Sequence, residues 1–296
     1  MNINIAIKKI RRLSFVSMAA LIILLLNLTT SLAYQNVDES HPIALEDTVY
    51  LYLETGTVVI QLTPAIAPNH VSRFKSLVSE GFYNGLDFYR VIDGFVAQAG
   101  DIDETKSSSN KKPMPAEFTR SVTSDSSFMV VQSPEFLAEQ TGFIDGFPAG
   151  RSLSEKQEWL IHCSGTVAMA RNNEADSATT EFYIVIGQAP RHLDRNMSIF
   201  GQVVYGMQHV QFTKRGDRNK ESGMIDAPAN RTKILSAKLG SQVPDNQRVK
   251  LSAEPVSSTS FQQRLKSARE LDNPFFHYKG TGNLDVCYYR PNIKIL

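Results

Sequence analysis

Hydrophobic and polar positions repeat at two periods along this chain, and the switches between them outline most of its elements. Thr48–Leu53 and residues 57–62 alternate with period two and carry β-branched residues, with Glu54-Thr55-Gly56 between them. That pattern predicts a hairpin. After Pro68, where a helix can start, Val71, Phe74, Leu77 and Val78 recur at helical spacing until Gly81 interrupts them. A core-facing helix is expected there. Residues 88–92 and 94–98 predict two strands around a tight Asp93-Gly94 turn. Segments 166–170, 181–186, 199–204 and 233–239 predict further strands, and Val210 with Phe212 a turn of helix.

Beyond Pro244 the pattern changes. Phe261, Leu265 and Ala268 share one helical face, Ser260 and Gln263 are placed as a capping box, and Pro274 ends the element. Residues 275–278 and 284–289 flank Gly280-Thr281-Gly282-Asn283, which predicts a hairpin. We read 245–296 as an appended α plus β-hairpin unit, too small for an independent domain.

Composition adds boundaries. The chain has 296 residues, 42% hydrophobic and 21% charged, an ordinary globular balance that permits one or two domains. Lys8, Lys9, Arg11 and Arg12 precede a nearly unbroken apolar run from Val16 to Leu28, and Ser31-Leu32-Ala33 offers small residues where a signal peptidase reads. This is a secretory signal pattern over 1–33, followed by a polar leader at 34–46. An uncleaved membrane anchor is the alternative, although the run is shorter than the roughly 20 residues a span needs. Cleavage after Ala33 leaves 27 basic and 30 acidic residues, taking the formal charge from +1 to −3. Such a protein has no electrostatic case for nucleic acid or an anionic membrane surface. An exported, periplasmic or secreted location follows from the leader.

An exported chain tolerates a disulfide. Cys163 and Cys287 are the only cysteines, and both a bond between them and two buried thiols remain open. His162 beside Cys163 lacks further ligands at metal spacing, so no metal is expected. There is no nucleophile elbow, phosphate loop or dinucleotide fingerprint.

One segment does carry chemistry: Phe88-Tyr89-Arg90-Val91-Ile92-Asp93-Gly94-Phe95-Val96-Ala97-Gln98-Ala99-Gly100-Asp101. It sets one cation in an apolar strand, with a bulky ring and an amide soon after. The guanidinium keeps its charge and must donate to something polar. A fixed donor, an apolar wall and an amide suit binding and polarising a neutral amide.

The segment resembles the cyclophilin signature, in which an aromatic-Xaa-Arg-Val-Ile strand runs into Gly-Phe-Xaa-Xaa-Gln-Xaa-Gly. Three more blocks follow the family's order. Thr48–Leu62 with Ala67-Pro68-Asn69-His70-Val71 and Gly81-Phe82-Tyr83 is similar to its first hairpin and helix. Gly165-Thr166-Val167-Ala168-Met169-Ala170-Arg171, with the loop to Glu181-Phe182-Tyr183-Ile184, resembles its central strands. His192-Leu193-Asp194 to Phe200-Gly201-Gln202-Val203-Val204-Tyr205-Gly206-Met207 resembles a third block. Met-Ala-Arg with Asp176-Ser177-Ala178 resembles the bacterial branch.

The resemblance implies a mainly β fold: a closed eight-stranded antiparallel barrel capped by helices, spanning 47–244. It implies a cofactor-free peptidyl-prolyl cis-trans isomerase that acts on Xaa-Pro bonds of exported proteins and assists their folding. Its partners would be proline-containing unfolded or partly folded polypeptides. The alternative is a chaperone or assembly scaffold that holds proline segments without turnover.

By resemblance Arg90 is catalytic, and Phe95, Val96, Gln98, Ala170, Phe182, Tyr183 and Leu193 bind substrate. Tyr183 would face the proline ring, its hydroxyl being a departure from the family's Phe. Glu181 stands where Gln is usual, and His192 stands where human-type members have the Trp that aids cyclosporin binding. Met197 is the nearest counterpart of a pocket His. Residues 102–162 exceed the family's length. Within them 103–112 reads as an exposed loop, 128–132 as a strand, and 136–159 as an elaborated loop over one barrel face.

Overall fold

The computed structural model describes residues 39–217 and 222–296; the signal pattern and residues 34–38 of the polar leader lie outside them. Sixteen strands occur in the described chain: β1 (His41–Pro42), β2 (Thr48–Leu53), β3 (Gly56–Leu62), β4 (Asp87–Ile92), β5 (Val96–Gly100), β6 (Arg120–Ser121), β7 (Phe128–Gln132), β8 (Gln140–Ile144), β9 (Phe147–Ser152), β10 (Gln157–Leu160), β11 (Thr166–Met169), β12 (Phe182–Val185), β13 (Ile199–Tyr205), β14 (Thr232–Leu239), β15 (Leu251–Ala253) and β16 (Ile293–Ile295). Eight of them close into an antiparallel barrel in the order β11-β12-β5-β4-β14-β2-β3-β13. Closure leaves no exposed strand edge.

Side chains on alternate strand positions fill the barrel. Leu51, Val58, Ile60, Phe88, Ala97, Ala99, Val167, Phe182, Ile184 and Phe200 belong to one buried cluster. The Pro68–Ser79 helix plugs one opening with Val71, Phe74, Leu77 and Val78, and Pro68 stands at its first turn. Phe74 meets Phe182 and Phe200 with ring centroids 5.3 and 4.8 Å apart. The hairpin, the helix and the barrel strands fall where the hydrophobic pattern puts them, except that β5 begins at Val96 rather than Gly94, the turn running through Phe95, whose N–H donates to the Ile92 carbonyl at 3.1 Å. At the β4–β5 turn Gly94 has φ +72°, a region glycine enters without a Cβ penalty.

Three expectations are corrected. Segment 136–159 is not a loop: with its neighbours it forms a five-stranded antiparallel sheet, β6-β10-β9-β8-β7. Its strands are short and interrupted by Gly142, Gly146, Pro148 and Gly150, so no clean alternation marks them. Close pairing accounts for two of the glycines, since a Cβ on Gly142 would lie 1.8 Å from the Met129 carbonyl oxygen and one on Gly150 2.6 Å from the Trp159 ring, while Gly146 makes the turn between β8 and β9 at φ +84°.

The tail does carry a helix, Thr259–Glu270, but its cap is Ser258, whose hydroxyl accepts from the Phe261 N–H at 3.1 Å. Ser260 instead donates to Glu254 at 2.5 Å. Residues 275–289 form turns rather than a hairpin. The tail's strands are β15 and β16, which join β1 in a three-stranded sheet.

The tail helix finds its partner in the insert. Phe261 and Leu265 share a buried cluster with Val131, Phe143, Trp159, Ile161, Leu284 and Val286. Phe143 and Phe261 meet edge to face, centroids 5.5 Å apart. Cys163 and Cys287 are disulfide-bonded, with Cα atoms 5.1 Å apart and 124 positions of sequence between them. Glu158, fully buried, receives Arg151 Nε at 2.8 Å, Arg120 Nε at 2.9 Å and Ser126 Oγ at 2.6 Å. Burial alone would raise its pKa, but these donors outweigh it and hold the carboxyl below its usual range. Arg120 Nη1 also donates to the Ala65 carbonyl at 3.0 Å, tying the sheet to the barrel.

Candidate active site

Four strands place a row of side chains on one outer face of the barrel. Arg90 on β4 stands opposite Gln98 on β5, Gln98 opposite Tyr183 on β12, and Tyr183 opposite Ala168 on β11. Cross-strand partners share a face, so the cation, the amide and the phenol line up although they are far apart in sequence.

Arg90 is half-buried and its orientation is set by two oxygens. Nη1 donates to Gln98 Oε1 at 2.9 Å and Nε donates to the Ser222 carbonyl at 2.7 Å. Neither partner is a carboxylate, and among the described residues the Arg90 guanidinium forms no ion pair. Ser222 belongs to a segment that docks along β4, where Val91 N–H donates to the Gly223 carbonyl and Ile225 N–H to the Tyr89 carbonyl, both at 2.8 Å. Gln98 Nε2 donates to the Tyr89 hydroxyl at 2.5 Å, which fixes which way the amide points. Burial, and secondarily the charge of Glu181, push the Tyr89 pKa far above its ordinary value, so this phenol stays neutral.

Tyr89 and Ser222 were not legible as site residues. Strict alternation would send Tyr89 to the face opposite Arg90. A register shift between Phe88 and Arg90 brings both to Gln98.

The apolar wall is only partly as expected. Phe95, Ala170, Leu193 and Met197 are half-buried and pack against a cluster that contains Val96, Tyr183, Val185, Ala189 and Ile199. Val96 and Tyr183 are 3% and 4% exposed, so they back the wall rather than stand at its surface. Phe182 does not belong to the site. It points into the barrel, fully buried, 5.3 Å from the rings of Phe74 and Tyr83. Period two allows only one of two consecutive strand residues to face out, and that residue is Tyr183. The Ala170 N–H is already donated to the Glu181 carbonyl at 2.8 Å.

The insert contributes to the same cluster. Phe128, Ile144, Phe147, Ala149 and Leu160 are buried in it alongside Val96 and Tyr183, so the five-stranded sheet packs against the barrel face beside the row. Glu181 is turned to its own loop, accepting from Thr179 Oγ1 and Thr180 Oγ1, both at 2.9 Å. His192 is exposed on the Arg191–Leu193 turn.

His162 has no metal-type surroundings. Its ring lies buried between Asp194 and Tyr183: Nδ1 is 2.9 Å from Asp194 Oδ1, and Nε2 is 2.8 Å from the Tyr183 hydroxyl. The His162 N–H donates to the same Asp194 oxygen at 2.9 Å, and Arg191 Nε donates to Asp194 Oδ2 at 2.5 Å. Burial, reinforced by the Asp194 charge, raises the Tyr183 pKa well beyond its normal range. Among the described residues no group of three or more His, Cys, Asp or Glu side chains could hold a metal ion. A cavity of about 770 Å³ opens elsewhere, lined by Ile43, Gln61, Phe147, Gln202, Glu254 and Arg290 among others, and touches none of the row.

A family model described as cyclophilin-type peptidyl-prolyl cis-trans isomerase matches residues 48–239. A probable peptidyl-prolyl cis-trans isomerase of Brucella suis is 35% identical over 192 residues, covering 65% of this chain and 82% of that protein. Peptidyl-prolyl cis-trans isomerase A of Dickeya dadantii is 26% identical over 196 residues, 64% of this chain and 83% of that one. Among solved structures, cyclophilin AquaCyp293 from Hirschia baltica aligns with a TM-score of 0.70 at 25% identity, covering 86% of this chain and 93% of that chain. The structural match therefore extends well beyond residues 48–239.

Proposed function

Because the chain belongs to the cyclophilin-type peptidyl-prolyl cis-trans isomerase family, and is an isomerase of Xaa-Pro bonds, we propose that it serves exported proteins and that Arg90 is its catalytic donor. The observation that carries the site assignment is the guanidinium aimed by Gln98 Oε1 and the Ser222 carbonyl at the end of the Arg90–Gln98–Tyr183 row. Support for exported clients is the basic start, apolar run and small-residue exit of residues 1–33.

The chemistry needs little. Resonance holds a peptide C–N bond behind a barrier of about 18–20 kcal/mol, and for Xaa-Pro both isomers are populated but exchange slowly. In the twisted state the prolyl nitrogen becomes pyramidal and regains a lone pair. A guanidinium N–H donates to that lone pair more strongly than to the planar amide, which is differential binding of the transition state by a preorganised donor. No bond to the protein forms and no proton is transferred. Gln98 holds the guanidinium and offers amide contacts to the substrate backbone. Phe95, Ala170 and Leu193 receive the proline ring, with Val96 and Tyr183 behind them.

The test is two-dimensional NMR exchange on an Xaa-Pro peptide, with wild-type protein and Arg90→Ala, together with fractionation of expressing cells. Accelerated exchange that depends on Arg90, in protein recovered from the exported fraction, is the expected outcome. Exchange that survives Arg90→Ala refutes the assignment of the donor, and protein confined to the cytoplasm refutes the exported clients.

A further inference from the structure

The catalytic account leaves one buried polar chain unused. Asp194, His162 and Tyr183 are joined end to end, and they come from three places: the turn that carries Leu193, the end of the insert, and the strand facing Gln98. We propose that His162 is a positioning residue for the isomerase site, locking the Tyr183 ring behind the proline-binding wall and tying that ring to the Leu193 turn.

Hydrogen-bond logic fixes the direction of the chain. An ionised Asp194 can only accept, so His162 Nδ1 carries the proton it donates at 2.9 Å. With the imidazole neutral, Nε2 is an acceptor and the Tyr183 hydroxyl is the donor at 2.8 Å. The two rings lie nearly parallel, 11° apart with centroids at 6.1 Å. Swinging Tyr183 away from this position would leave a hydroxyl and an imidazole nitrogen buried without partners, which is costly. The ring wall is thereby rigid.

Asp194 extends the restraint. It accepts from the His162 side chain and backbone on one oxygen and from Arg191 on the other. Leu193, the neighbour of Asp194, is one of the half-buried wall residues. Beside the apolar packing of its strands against the wall, the insert thus makes its polar link to the site through one side chain at its C-terminal end, and Tyr183 differs from a phenylalanine by the one atom that makes the connection.

The inference rests on the reading that Tyr183 backs the substrate wall. A wall touches the proline ring in the ground and transition states alike, so loosening it should raise KM and spare kcat; loss of the Arg90 donor should lower kcat. Tyr183→Phe removes only the hydroxyl. His162→Asn keeps a donor near Asp194 and loses the reach to Tyr183. Each single variant should raise KM for an Xaa-Pro peptide about fivefold with kcat within about twofold, and the double variant should be no worse than the weaker single.

In wild-type protein, imidazole-edited 15N NMR should show His162 protonated at Nδ1 only, and Tyr183→Phe should shift the Nε2 resonance while leaving Nδ1–H in place. Additive losses in the double variant, an unchanged KM in Tyr183→Phe, or a His162 protonated at Nε2 each overturn the proposal. If His162→Asn fails to fold, Tyr183→Phe and the tautomer decide alone. Arg90→Ala with undiminished kcat would instead count against the site assignment, a result separable from all of these.

Discussion

The barrel and the insert–tail assembly each bury a core, but they are built from different kinds of contact. In the barrel the contacts are backbone ladders: three of the eight pairings join consecutive strands, β2 with β3, β4 with β5 and β11 with β12, and others, such as β14 with β2, join strands far apart in the chain. In the second core, Phe143 meets Phe261 and Cys163 is bonded to Cys287, so segments more than a hundred residues apart must meet before either is buried. The barrel carries the Arg90 row, and the second assembly carries the restraint that His162 exerts on it. The difference separates chemistry from support: damage to one should leave the signature of the other intact.

The largest effect should come from the barrel face. Arg90→Ala should lower kcat/KM about 10²–10³-fold, the scale of losing a preorganised donor worth roughly 3–4 kcal/mol, while thermal melting stays within a degree or two of wild type. Isomerase assays and calorimetry on both proteins check this. A mutant that keeps wild-type turnover would break the division at once.

Reduction of the Cys163–Cys287 bond tests the other half. Cross-links closing long loops are worth typically 2–4 kcal/mol, and up to about 4–5 in the chain-entropy model for a loop of this size. The reduced protein should therefore unfold at lower denaturant, by about 3 kcal/mol, with kcat within about twofold. Alkylation and mass spectrometry of protein purified without reductant should show both thiols blocked until reductant is added.

Glu158 sharpens the same division through pH. Its carboxyl is held below its unfolded value by Ser126, Arg151 and Arg120 against the cost of burial. The stability it contributes is therefore complete above the unfolded glutamate pKa, about 4.3, and is lost as pH falls through the lower folded value. Glu158→Gln should cost about 3 kcal/mol at neutral pH, as removing one partner of a buried ion cluster does, and the gap to wild type should narrow below about pH 4. Trp159, the only tryptophan of the chain and buried beside Glu158, reports the transition by fluorescence. A gap that widens with acid would invert the assignment.

The smallest effect concerns His192. The resemblance ties cyclosporin affinity to a Trp at this position, whereas here an exposed histidine stands on the Arg191–Leu193 turn. Inhibition by cyclosporin should be weak, and His192→Trp should improve it by about tenfold, the scale of one regained hydrogen bond. Tight inhibition of the natural chain would show that the turn does not control it.

Much of this was legible because the barrel's strands write themselves in short-range pattern. Period-two alternation located its strands, and helical spacing after Pro68 located the plug that Val71, Phe74, Leu77 and Val78 bury. The Arg90–Gln98 pair was legible because both sit in one hairpin, eight residues apart. Phe182 was misplaced for want of one fact, the parity of β12: its register against β5 sends Phe182 to the interior and Tyr183 to the outer face. Tyr89 was hidden by a bulge, since an extra residue in a strand leaves no mark on hydrophobicity.

The insert was hidden for a different reason. Strands such as Gln140–Ile144 and Phe147–Ser152 are buried along most of their length, so nothing alternates, and their glycines read as loop. By itself the sequence determined the barrel's strands, the plugging helix, the tail helix and the cation with its amide, because each is specified by residues within a few positions of one another; the closing of those strands into a barrel followed only from the resemblance, since pairs such as Leu239 with Val49 lie far apart in the chain. Tertiary structure alone decided what lies between and behind them: the sheet in the insert, the tail's docking on it, and the Asp194–His162–Tyr183 chain. Those depend on which distant surfaces meet, and no local pattern encodes the meeting of Tyr183 with a histidine 21 residues earlier and an aspartate beyond it.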